Sequence, residues 1–186
     1  MSEQKKQLAE YFLSDSKDFL ARYIKLEENA THFGLRTKLI VELMFSLECA
    51  LKSLFILETS LSDKKAYKKI KKNFSHDIDK IIADLSEESK IVFDEKVTID
   101  YQNYKVYQRY VFESEMAFRE EVGALGQIYY DTVNNHLWRK SFYEQVKSFI
   151  EYVESKHPFE FKTISFLNID VETELLKFKK LKEMLD

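Results

Sequence analysis

The chain has 186 residues, 33% of them charged and 45% hydrophobic, with a formal net charge of −3. That length fits one domain with an appended helix, and such a chain buries enough surface to fold without metal or disulfide. The apolar content excludes disorder, and the slight acidity excludes any overall attraction to nucleic acid or anionic lipid.

Three glycines and one proline leave little material for β-rich folds or long loops, so long helices are predicted. Cys49 is the single cysteine, which rules out an internal disulfide and fits a reducing cytoplasm. No signal peptide and no transmembrane helix are expected.

Taken in chain order, apolar residues at Leu8, Phe12, Phe19, Leu20, Tyr23 and Ile24 predict an amphipathic helix ending near Asn29. "LIVELMFSLECALKSLFILE" predicts a second helix over Leu35–Glu58, apolar nearly all round and therefore central. Its surplus of apolar surface over Leu39–Leu57 predicts a homodimer interface there or on the first helix. Ser62 is expected to cap a short helix. Along it, the six lysines 64, 65, 68, 69, 71 and 72 share one side, opposite Ala66, Tyr67 and Ile70. Ser75 is expected to cap the next helix, with Asp77 in its first turn and Ile78, Ile81, Ile82 and Leu85 facing inward. Residues 87–95 add a further turn or two.

The stretch from Lys96 to Val111, rich in β-branched residues and tyrosines, predicts an irregular or short extended crossing. Its tyrosines 101, 104, 107 and 110 lie three apart. A row of that spacing smears around a helix, so a packed wall is preferred over a stacking platform. Helix is predicted again from Ser114 to His136, with Met116, Phe118, Val122, Leu125, Ile128 and Tyr129 as its apolar set. Another helix is predicted from Lys140 to Ser155. "HPFEFKTISFLN" predicts a break with a short strand, and Glu172–Leu185 a final helix. The division is thus a helical bundle over 1–156 and a C-terminal extension over 157–186.

The chemistry-bearing residues cluster in two segments. Glu48 and Lys52 stand at i and i+4 in the central helix, where buried charges require partners. His76 and Asp77 open the next helix. There is no glycine-rich phosphate loop, no zinc pattern and no His-x-x-x-His pair, so neither a metal nor a cofactor is predicted.

Glu48-x-x-x-Lys52 amid aliphatics, then His76-Asp77 heading a helix, then Arg109-Tyr110 in a crossing, resembles the HEPN family of all-helical bundles. The resemblance implies an all-α up-down bundle. It also implies a role as an RNase toxin, a nucleotidyltransferase partner, or a non-catalytic nucleotide- or RNA-binding protein, often dimeric. Catalytic members carry Arg, four to six residues, then His. No arginine here has that relation to a histidine, although Lys71 precedes His76 at that spacing. Lysine is a poorer planar clamp for phosphate. The expectation is therefore a non-enzymatic binding or partner protein in a toxin–antitoxin or phage-defence setting, with an adjacent gene's product as a protein partner. RNA or a nucleotide would be held by Glu48, Lys52, Lys68, Lys69, Lys72, His76, Asp77, Arg109 and Tyr110. The alternative is a divergent ribonuclease using His76, Lys71 and Asp77. "HDIDK" also resembles the core of HD-type metal phosphohydrolases, for which His32, His76, Asp77 and Asp131 would gather around one ion.

Overall fold

The computed structural model describes residues 1–104, 108, 110–119, 125–156, 176, 179–180 and 182–183. Helix α1 spans Glu3–Glu27 and α2 Phe33–Glu58. The short α3, Asp63–Lys69, runs into a π-helical turn at Ile70–Phe74. Helices α4 (Ile78–Ala83) and α5 (Glu87–Lys96) follow, then α6 (Val111–Phe118), α7 (Gln127–Asp131) and α8 (His136–Lys156). No strand occurs among the described residues, and the architecture is an all-α bundle.

Helices α1, α2 and α8 form the frame. Ser16 donates to the Ser46 carbonyl at 2.7 Å and Ser53 to the Ala9 carbonyl at 2.8 Å. One chain therefore advances as the other retreats, and α1 lies antiparallel along α2. Small serines at these crossings let the backbones approach while satisfying their own hydroxyls. Helix α8 joins this pair through a stack of Tyr23 on Tyr143, centroids 5.4 Å apart, and through the Lys17–Glu154 ion pair. Helix α5 leans on α8, where Phe93 meets Phe149 edge to face at 5.3 Å.

As expected from its sequence, α2 is the central helix; Leu39, Leu43, Leu47, Ala50, Leu51, Leu54 and Ile56 are each fully buried. Its apolar residues find their cover inside one chain, so α2 does not present the surplus surface expected of a dimer interface. On α1, the other helix named for that interface, Tyr11 and Ile24 are exposed, and further large exposed apolar side chains include Ile91 of α5, Val111, Phe112 and Met116 of α6, Ile128 of α7 and Leu137 of α8.

Two further expectations are corrected. Ser75 does not cap α4: Asp77 does, accepting from the Lys80 amide at 3.2 Å, while Ser75 adopts φ 49° and ψ −113°. The segment from Ser114 to His136 is not one helix. Helix α6 stops at Phe118, Arg119 bridges to Leu125, and Gly126 donates its amide to the Phe118 carbonyl at 2.8 Å before α7 begins. Met116 and Ile128, assigned to its apolar face, are consequently exposed, whereas Phe118 and Tyr129 are buried; Val122 lies outside the described residues.

Residues 97–104 have neither helix nor strand, as the crossing requires. Tyr104 is buried against Trp138, and Tyr101 meets the Phe93 ring edge to face at 5.9 Å. Both belong to the wall; Tyr107 falls outside the described residues, as does the "HPFEFKTISFLN" break. Of the final predicted helix, Leu176, Lys179, Lys180, Lys182 and Glu183 are helical.

Candidate functional site

The site begins with a buried charge. Glu48 is 3% exposed on the central helix, where an isolated carboxylate would be strongly disfavoured. Lys52, one turn on and 8% exposed, sets its ammonium against Glu48 Oε1 and also donates to the Ser75 carbonyl at 3.0 Å. His76 supplies the other partner, with Nδ1 at 3.2 Å from Oε1 and 3.1 Å from Oε2. The acid thus has a cation behind it and an imidazole in front. Their roles differ: the His76 side chain is 57% exposed while Glu48 is not, so the ring carries the influence of a buried carboxylate to the surface.

The backbone that delivers His76 is unusual. The π-helical turn closes through the Ser75 amide on the Ile70 carbonyl at 3.2 Å, one residue wider than an α-turn. Phe74 fills the space beneath, edge to face with Phe55 at 4.9 Å. Ser75 then takes a positive φ that serine rarely adopts, and Lys52 holds its carbonyl. That sharp reversal turns His76 back toward α2, where Phe45 meets its ring edge to face at 5.8 Å.

His76 borders a cleft of about 410 Å³, within the range of small-ligand sites. Glu48, Asp77, Asp79, Lys80 and Tyr101 line it with His76. Tyr101 donates to Asp79 Oδ1 at 2.9 Å; burial, and then that carboxylate, push its phenol well above the ordinary range. Lys80 pairs with Asp77 at 2.9 Å. Among the described residues, His76 Nε2 has no hydrogen-bond partner, so it is the ring atom available to a ligand.

Glu48, Lys52, His76 and Asp77 are therefore brought together, although Asp77 is occupied as cap and ion-pair partner. Lys68, Lys69 and Lys72 are not among the residues lining the cleft. Ala66 and Ile70 turn inward, which leaves Lys68, Lys71 and Lys72 exposed in water, while Lys69 reaches back to Asp84 at 2.7 Å. Among the described residues, the basic run therefore does not line the cleft that His76 borders. Nor does α4, six residues long, give His76 an extended helix dipole. Arg109 lies outside the described residues, and Tyr110 lines a neighbouring groove with Phe45.

Sequence reasoning missed Ser75, Lys80, Asp79 and Tyr101. Lys80 carried a signal, since it stands three residues after Asp77 on a helix. For the hydrolase alternative, His32 stands at the N-terminal boundary of α2 without a side-chain capping bond, and Asp131 accepts from Gln127 at 2.7 Å. No three His, Cys, Asp or Glu side chains converge as metal ligands among the described residues, so that ion-binding set is not assembled. No helix among the described residues is long and apolar enough to cross a membrane. The chain matches no protein-family model, no curated protein and no solved structure.

Proposed function

We propose that the chain is a HEPN-like binding protein that holds a nucleotide or an RNA phosphate in the His76 cleft. The observation that carries this reading is the clamp of His76 Nδ1 by the buried Glu48 at the edge of a cleft that His76 lines, with Nε2 left without a partner among the described residues. A fixed imidazole loses little side-chain freedom when it donates to a phosphate oxygen. Lys80, exposed at the same cleft, supplies a mobile positive charge. A cytoplasmic location, a homodimer and partnership with an adjacent gene's product in a toxin–antitoxin or phage-defence setting belong to the same reading. Light scattering and co-purification test the last two.

The same clamp favours a second reading, a divergent ribonuclease. A carboxylate on Nδ1 fixes the tautomer and orients Nε2 as a general base, here for a ribose 2′-hydroxyl attacking the adjacent phosphorus as the 5′-oxygen leaves. Asp77 and Lys71, named for that chemistry, do not support it equally: Asp77 lines the cleft and Lys71 does not. Binding of labelled single-stranded RNA, measured beside its degradation, separates the readings. In the binding reading His76→Ala weakens affinity while the wild type leaves the RNA intact. In the ribonuclease reading the wild type cleaves, and both His76→Ala and Glu48→Gln abolish cleavage.

A further inference from the structure

A second groove, of about 480 Å³, is lined by Phe45, the ring that also meets His76 edge to face. Phe19, Arg22, Lys38, Glu42, Phe45 and Tyr110 line it. Phe45 stacks on Phe19 with centroids 5.0 Å apart, and the Arg22 guanidinium lies 4.2 Å over the Phe19 ring. Glu42 is the unexplained member. Its Oε2 is shut away from water and, among the described residues, has no hydrogen-bond donor. Arg22 Nε is the nearest cation at 3.8 Å, beyond hydrogen-bond reach. Burial accordingly pushes the Glu42 carboxyl above its ordinary range, with the Arg22 charge pulling it part of the way back. A desolvated carboxylate without donors is costly unless something else supplies them.

We propose that this groove is a guanine-base subsite, in which Glu42 accepts the N1–H and N2–H donors of the base and the Phe45 and Tyr110 rings pack against its face. Guanine alone among the common bases presents two adjacent donors on its pairing edge, the complement of a carboxylate. Adenine and cytosine present one donor beside an acceptor, which Glu42 would repel. Uracil presents one donor between two carbonyls. Arg22 and Lys38 are the cations placed to meet a phosphate on the same nucleotide. Because Oε2 is closed to solvent, the proposal requires Arg22, more than half exposed, to leave its place over Phe19 and swing toward solvent as the base enters. Phe45 is shared with His76, so a guanosine here would direct its neighbouring phosphate toward the first cleft. Only this link between the two clefts rests on the reading of His76 as a phosphate site.

The test measures binding of GMP, AMP and two short single-stranded RNAs, identical except for one G or A, to the wild type, Glu42→Gln and His76→Ala. The wild type should prefer guanine over adenine about tenfold or more, the scale of a charge-assisted hydrogen-bonded pair. Glu42→Gln should bring that ratio close to one, with a thermal midpoint no lower than wild type because a buried charge has been removed. His76→Ala should keep the guanine preference and weaken only the RNAs. Discrimination between the free nucleotides assigns a nucleotide ligand; discrimination confined to the RNAs assigns a base within a strand, and either supports the subsite. Equal wild-type binding of guanine and adenine ligands, or a preference that survives Glu42→Gln, overturns it. If the guanine preference behaves as stated but His76→Ala leaves RNA affinity unchanged, the subsite stands and the phosphate reading of His76 fails.

Discussion

Replacing Lys52 with methionine is the sharpest probe of the Glu48–Lys52–His76 arrangement. Methionine follows a similar path with no charge, so packing near the Phe12 ring is largely kept. The substitution removes the ammonium that contacts Glu48 Oε1 and the hydrogen bond to the Ser75 carbonyl. Glu48, 3% exposed, is left with His76 as its partner. Stripping one member from a buried ion pair costs about 3–5 kcal/mol, far above the ~1 kcal/mol ceiling of exposed pairs. For a chain of this length each kcal/mol moves the midpoint by about 2–4 °C, so a fall of roughly 6–20 °C is expected. Urea and thermal unfolding followed by far-ultraviolet circular dichroism measure it. The double variant Glu48→Leu with Lys52→Met should recover most of the loss, because both charges then leave together. A Lys52→Met loss below about 1 kcal/mol would show a solvated pair and refute the claim that Glu48 is a buried charge needing two partners.

Ser75→Gly should raise stability by about 1 kcal/mol, since relief of strain at φ 49° exceeds the added freedom of the unfolded chain; a lower midpoint in urea would contradict that. Cys49 is buried, and burial with the neighbouring Glu48 charge pushes its thiol up to about 12. A thiol reagent at mildly alkaline pH should therefore leave the native chain unlabelled and modify it fully in denaturant. Lys68→Glu with Lys72→Glu should leave the midpoint nearly unchanged and reduce RNA affinity less than His76→Ala does, as neither lysine lines the cleft. A larger loss by anisotropy would return the basic run to the binding surface.

The frame was legible because its signals are local and repeated. Period and apolar content marked α1, α2 and α8, and the i, i+4 spacing of Glu48 and Lys52 announced an ion pair before any contact was known. His76 was legible as chemistry but not as geometry. Its approach to Glu48 depends on a π-helical turn and a positive φ at Ser75, and neither leaves a mark in composition. Serine before His-Asp read as a cap, since a capping serine and a strained one look alike in sequence. The lysine run misled for a related reason: its face of α3 was correctly apolar on one side, but which way the polar side looks depends on how Ala66 and Ile70 dock. The break after Phe118 did carry a signal in Gly126, outweighed by the helical period of the residues around it. Glu42 was invisible, because a glutamate on a helix acquires meaning only once its oxygen is found without a donor.

The central claim is that a buried glutamate holds His76 as the ligand-contacting group of a nucleotide or RNA site. Fluorescence anisotropy of a short labelled single-stranded RNA, titrated with wild type and His76→Ala at equal salt, tests it most directly. Loss of one charge-assisted contact should weaken the variant about tenfold; its midpoint should also fall, by less than in Lys52→Met because Lys52 still holds Glu48, so both proteins are compared well below the variant's midpoint. Equal affinity in the two proteins, or no binding by the wild type at low salt, would contradict the account.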